Sequence, residues 1–185
     1  MKKPLDIVSV LPEIDWISNP ELREKTIAVW NRMYEEGKWE DIMALPCSTK
    51  KTDYPHIVHN RSVVQMAVSC AKIVAELHHA EVDMDHLIAA ALLQDVSKLV
   101  EYEPDGNGGC ALSERGKKFM HAFLAAHVAL EVGLPDDVAQ VILTHTPDSP
   151  VYPQTLIGKI LFYVDQLDMA AIKGDHWKKT NVIYR

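Results

Sequence analysis

The chain of 185 residues has little cysteine: Cys47, Cys70 and Cys110 stand far apart, and no Cys-x-x-Cys pair occurs. An odd, scattered count without a secretion signal points to reduced thiols. Met1 to Leu11 is basic only at Lys2 and Lys3 and lacks an apolar stretch suited to export. No run approaches the ~20 apolar residues of a membrane span. A soluble cytoplasmic protein, with no membrane partner, is expected. Positive charge is also in deficit: 19 Lys and Arg face 26 Asp and Glu, for a net charge of −7. A general nucleic-acid binder needs a basic face, so that class is set aside. A small anionic substrate is not excluded, because a metal ion and one lysine can set a local field. No segment alternates with period two, and no internal repeat or low-complexity tract is present. An all-α single domain, a bundle of about six to eight helices, is the expected fold.

Three segments are distinguished: an N-terminal helical extension packed on the core (1–55), a helical domain (56–172) and a polar tail (173–185). In the first, Asn19-Pro20-Glu21 is a helix start, with a cap residue, a proline in the first turn and an early acid. That helix is expected to run to Glu36 and stop at Gly37, with Ile27, Trp30 and Met33 or Tyr34 as its apolar stripe. Trp16, Trp30 and Trp39 are expected to dock the extension, lining a substrate entrance being the alternative. Cys47 to Pro55 reads as a loop. A long helix from Ile57 to Leu77 carries a broad buried stripe. Asp83 or Asp85 caps a further helix through Leu93, which breaks near Ser97 or Leu99. The Pro-Asp-Gly-Asn-Gly-Gly run inside Tyr102 to Cys110 reads as a surface loop, or as a lid over the site. Helices are expected from Ser113 to Val132, stopped by Gly133, from Pro135 to Thr146, and from Gln154 to Ile172, with Gly174 as the stop.

The chemistry sits in the apolar helices. Ala89 to Leu93 is an apolar run that leads to Asp95, with Lys98 three residues on, and a carboxylate there is costly unless something positive meets it. Asp165 follows Ile160, Leu161 and Val164 on one face, and Asp168 adjoins the same face behind it. His145 follows Val138, Val141 and Ile142 at helical steps and points inward. His121 and His127 compete for one role on a helix that is apolar nearly all round. His59 stands where a long helix turns its stripe inward, and His56, three residues earlier, is its confounder. Ligand-type side chains spread over several apolar helices are how a bundle builds a metal site in its core.

His59, the doublet Gln94-Asp95 with Lys98, and the distal Asp165 resemble the signature of the HD superfamily of metal-dependent phosphohydrolases: a His, a His-Asp pair at a helix end, and a later Asp. His121 and His145 fall where two-metal members carry additional histidines. The resemblance covers roughly His56 to Ile172. It implies His59, Gln94, Asp95, His121, His145 and Asp165 as metal ligands, and Asp95 and Lys98 as catalytic groups. Arg61 is a weaker candidate for the substrate contact given to Lys98. One or two divalent transition ions (Fe, Mn, Ni, Co or Zn) are implied. So is a small phosphorylated substrate, a nucleotide or a dinucleotide, since the histidine spacing is similar to that of hydrolases of dinucleoside polyphosphates.

The departure is Gln94, which replaces the histidine of the doublet. An amide oxygen is a weaker donor than imidazole and serves neither as acid nor as base. Three readings follow: one metal held by the remaining ligands, Gln94 as an unusual ligand, or a site that has lost catalysis. Two other functional classes share the pattern, a di-iron oxygenase of the same superfamily and a catalytically weakened domain that binds a small molecule. Trp177 and Tyr184 in the tail are candidates for a homodimer contact.

Overall fold

A computed structural model describes residues 2, 4–49 and 51–173. Gly174, His176, Trp177 and Tyr184, and with them the expected helix stop and dimer contact, lie outside the described residues. The helices are α1 (Ile7–Val10), α2 (Pro20–Glu36), α3 (His56–His78), α4 (Met84–Leu93), α5 (Lys98–Glu101), α6 (His121–Val132), α7 (Asp136–Thr144) and α8 (Leu156–Lys173). Two short 3₁₀ turns, Pro12–Trp16 and Ile42–Ala44, flank α2. Two small antiparallel hairpins complete the described chain, β1 (Pro46–Ser48) with β2 (Lys51–Pro55), and β3 (Tyr102–Pro104) with β4 (Cys110–Leu112). The protein is all-α apart from these.

Local chemistry explains the helix ends. Asn19 Oδ1 accepts hydrogen bonds from the Glu21 and Leu22 amides at 3.0 and 3.1 Å, satisfying donors that the first turn leaves free. Asp83 does the same for α4 by accepting from the His86 amide. Gly133 ends α6 in the left-handed region (φ +87°), where its own amide and that of Leu134 return to the carbonyls of Leu130 and Ala129.

α4 is the axis of the molecule. Every residue from Leu87 to Leu93 is buried, because α2, α3, α7 and α8 all pack around it. A helix apolar on all sides has no face to show to water. One hydrophobic cluster joins Ile7, Leu11, Val29, Trp30 and Met33 of the N-terminal segment to Val63, Val64, Leu92, Leu124, Val141 and Leu161. At the end of α4 the Asn60 side chain of α3 donates to the Leu92 carbonyl at 3.1 Å. That bond pins the last turn of α4 beside the first turns of α3.

Four local expectations are corrected. Where a loop is expected from Cys47 to Pro55, β1 and β2 pair as a hairpin. Parts of 102–112 also form a hairpin, where Asp105 folds the tip by accepting from the Asn107 and Gly109 amides. Three of these four strands, β1, β3 and β4, have only three residues and are too short to show period two. Ser113 does not start a long helix; that helix begins at His121. Ser113 is drawn to α5 instead, its amide donating to the Glu101 carbonyl and its hydroxyl to the Val100 carbonyl. Finally, Trp16 stays 46% exposed while Trp30 and Trp39 are buried, so only the latter two dock the N-terminal segment.

Candidate metal centre and active site

Asp95 lies in the turn between α4 and α5, just past a helix with no polar face, and the chain therefore delivers it into the core. It is 1% exposed. Its Oδ2 meets Lys98 Nζ at 2.7 Å and lies 3.2 Å from His59 Nε2. Lys98, itself buried, also donates to the Cys47 carbonyl at 3.1 Å, which ties β1 to the site. His59 Nε2 is 3.2 Å from Asp165 Oδ1 of α8 as well. On the other side, Asp95 Oδ1 faces His121 Nε2 at 3.5 Å and His145 Nε2 at 3.6 Å. Two groups of atoms of the ligand type result, each within 4.8 Å, which could hold a metal ion: His59, Asp95 and Asp165, and Asp95, His121 and His145. Asp95 belongs to both.

Other residues set the orientation of these side chains. His59 Nδ1 is 2.6 Å from Asp168 Oδ2, and Asp168 Oδ1 accepts from Ser62 Oγ at 2.5 Å. Asp165 and Asp168, one turn apart on α8, thus grip His59 from both ring nitrogens. His145 Nδ1 donates to the Ile142 carbonyl at 2.6 Å, which leaves its Nε2 turned toward Asp95. Ser97 Oγ donates to the His121 carbonyl, anchoring the start of α6 to the Asp95 turn.

The electrostatics follow from burial and crowding. Burial lowers the His59 pKa, but Asp165, Asp168 and Asp95 overcome that and hold it well above the usual value. Burial raises the Asp95 pKa, and Lys98 with the neighbouring histidines more than reverses this, holding the carboxyl well below its usual range. His121 is driven to about 3 by burial, so its imidazole is neutral near pH 7 and free to act as a ligand. His145 is raised, the pull of Asp95 exceeding the cost of burial. Glu101, 3.9 Å from His121 Nδ1, is pushed up to about 7 by burial.

The donor set fits a divalent cation. His59 Nε2, Asp95 Oδ1 and both amide atoms of Gln94 are buried without a hydrogen-bond partner. Buried polar atoms left unpaired cost about 1–3 kcal/mol each. A cation among the converging ligand atoms would satisfy the histidine and the carboxylate together. A cavity of about 220 Å³ opens over this cluster, lined by Asp95, Lys98, His121, His145 and Asp165 and by parts of β1, α8 and the turn after α7.

Other sequence candidates fall elsewhere. His56 is buried against Trp30, with ring centroids 6.0 Å apart, and belongs to neither ligand group. His127 is on the surface, stacked on Phe123 and 3.5 Å from Glu131. Arg61 pairs with Glu13 at 2.9 Å and does not line the cavity. The β3–β4 tip does not line the cavity either; only Tyr102 of that hairpin does. Sequence reasoning passed over Ser62, one turn after His59, along with Asn60, Ser48 and Gln166. Only the helical step from His59 signalled Ser62.

Residues 57–170 match the family model of the HD domain, well over half of the chain, and the chain belongs to that family. It is also similar to dihydroneopterin 2',3'-cyclic phosphate phosphodiesterase of Methanocaldococcus jannaschii, with 29% identity over 113 residues. The aligned stretch is 60% of this chain and 45% of the relative, so the chain covers less than half of that protein's length. No solved structure matches the chain.

Proposed function

We propose that the chain is a metal-dependent phosphohydrolase acting on a small phosphoester. The observation that carries this is Asp95, shared by two ligand groups and paired with a buried lysine at the floor of a polar cavity. His59, Asp95 and Asp165 would hold one ion, and Asp95, His121 and His145 a second. Imidazole and carboxylate donors suit Mn, Fe, Co, Ni or Zn. When bound, such an ion polarises a phosphoryl oxygen and lowers the pKa of a coordinated water.

The chain's own groups do the rest. Asp168 holds His59 Nδ1, and the Ile142 carbonyl holds His145 Nδ1, so both Nε2 atoms are presented to the centre without a search over ring orientations. Two of the three Lys98 N–H groups are spent on Asp95 and the Cys47 carbonyl. Lys98 also lines the cavity, so the third would meet a phosphoryl oxygen or steady the departing alkoxide. The phosphodiesterase relative supports a phosphodiester as the substrate.

Metal analysis of the purified full chain, followed by assays with Mn, Ni, Co and Fe on bis(p-nitrophenyl) phosphate and nucleoside 2',3'-cyclic phosphates, tests this reading. Metal-dependent turnover abolished by EDTA is expected. The same assays on Gln94→His separate the alternatives: activity found only in that variant would overturn the enzyme reading in favour of a binding module. Turnover that consumed oxygen would favour the oxygenase.

A further inference from the structure

The charged groups that line the cavity, among the described residues, are three acids and one base: Asp95, Asp148 and Asp165 against Lys98. Three carboxylates and one ammonium leave a net charge of about −2, which one divalent ion cancels and two reverse to about +2. A single phosphoryl group, carrying about −1 as a diester or up to about −2 as a monoester, matches that field. A polyphosphate chain would bring further negative charge against Asp148 and Asp165, with one lysine N–H left to meet it.

The neutral part of the wall is equally informative. Gln166 is 6% exposed, and its amide nitrogen donates to Asp165 Oδ2 at 2.9 Å. Its carbonyl Oε1 is buried without a partner, and so is Oγ of Ser48 on β1, another residue that lines the cavity. Unpaired polar atoms in the wall of a cavity favour an occupant that pairs them and disfavour one that cannot.

Resting on the phosphohydrolase reading, we infer that the cavity selects esters of a single phosphoryl group whose alcohol moiety carries hydroxyl or N–H donors. Gln166 Oε1 accepts a hydrogen bond from that moiety, and polyphosphates are rejected. Gln166 is a specificity-determining residue whose amide nitrogen also steadies Asp165.

The Mn-loaded full chain tests this with adenosine 2',3'-cyclic phosphate, bis(p-nitrophenyl) phosphate (which has no hydroxyl or N–H), ATP and diadenosine tetraphosphate. The cyclic nucleotide should exceed both polyphosphates by at least about 10-fold in kcat/KM. In Gln166→Met the ratio of kcat/KM for the cyclic nucleotide to that for bis(p-nitrophenyl) phosphate should fall about 10-fold, carried by KM. Equal turnover of polyphosphates, or an unchanged ratio in the variant, would overturn the inference while leaving the phosphohydrolase reading intact. If no ester turns over, that reading fails, and thermal-shift titration with adenosine 3'-monophosphate and ATP still decides selection. Tighter binding of the monophosphate, weakened in Gln166→Met, supports the inference, and equal or inverted affinities overturn it.

Discussion

Replacing Asp95 with asparagine changes charge with almost no change of shape, so its effect isolates the electrostatics at the centre of the fold. In the metal-free protein the carboxylate is 1% exposed, and its closest cation is Lys98 Nζ at 2.7 Å, also buried. Asp95→Asn leaves that ammonium without its anion. Removing one partner of a buried ion pair costs about 3–5 kcal/mol. At about 2–4 °C per kcal/mol for a chain of this size, the melting temperature of EDTA-treated protein at pH 7 should fall by about 6–20 °C. The pH dependence supplies a second signature. The folded-state pKa of Asp95 lies well below its ordinary value, since Lys98 and the histidines outweigh the cost of burial. Its contribution is therefore complete above about pH 4 and is lost as pH falls through the depressed folded value. The gap between the native chain and the variant should be full at pH 7 and close in strong acid. The double variant Asp95→Asn/Lys98→Met, which removes the stranded charge, should recover at least half of the loss. Calorimetry and urea titration read all three. A single-variant cost below about 1 kcal/mol, or a double variant no more stable than the single one, would refute the reasoning.

Two further outcomes are expected. His59 has a raised folded pKa, so the stability its proton confers is complete below about pH 6.5 and declines as pH rises through the higher folded value. A metal must displace that proton, so Mn-induced stabilisation in thermal melts should grow from pH 6 to pH 9, and a flat dependence would contradict the assigned ligand. His121→Ala should weaken metal binding by at least about 10- to 100-fold in chelator competition. His127→Ala, on the surface beside Glu131, should leave metal affinity unchanged and stability within about 0.5 kcal/mol, and the reverse order would exchange their roles.

Much of the helical frame was legible along the chain because it rests on local chemistry. Asn19 and Asp83 cap the helices they precede, and Gly133 stops one by adopting a positive φ. The uniform burial of α4 follows from its having no polar face between Leu87 and Leu93. Segments governed by distant partners were not legible. Ser113 bonds across to α5 instead of opening a helix, and the strands at 46–48 and 102–104 are too short to display their period.

The same division holds at the site. Residue type and helical spacing alone put His59, Asp95, His145 and Asp165 on inward faces, since a polar group on an apolar stripe must be met by something. His121 and His127 share a helix that is apolar nearly all round, and nothing local separates them. What separates them is rotation about the α6 axis, which packing against α2 and α7 sets. It turns His121 toward Asp95 and His127 out to Glu131. Likewise, Asp168 holds His59 only because α3 and α8 pack side by side. Patterns of burial are written in the order of residues, because the hydrophobic effect is nearly directionless. Partners 2.6 Å apart across 109 positions are decided only when the helices dock, because hydrogen bonds are short and directional.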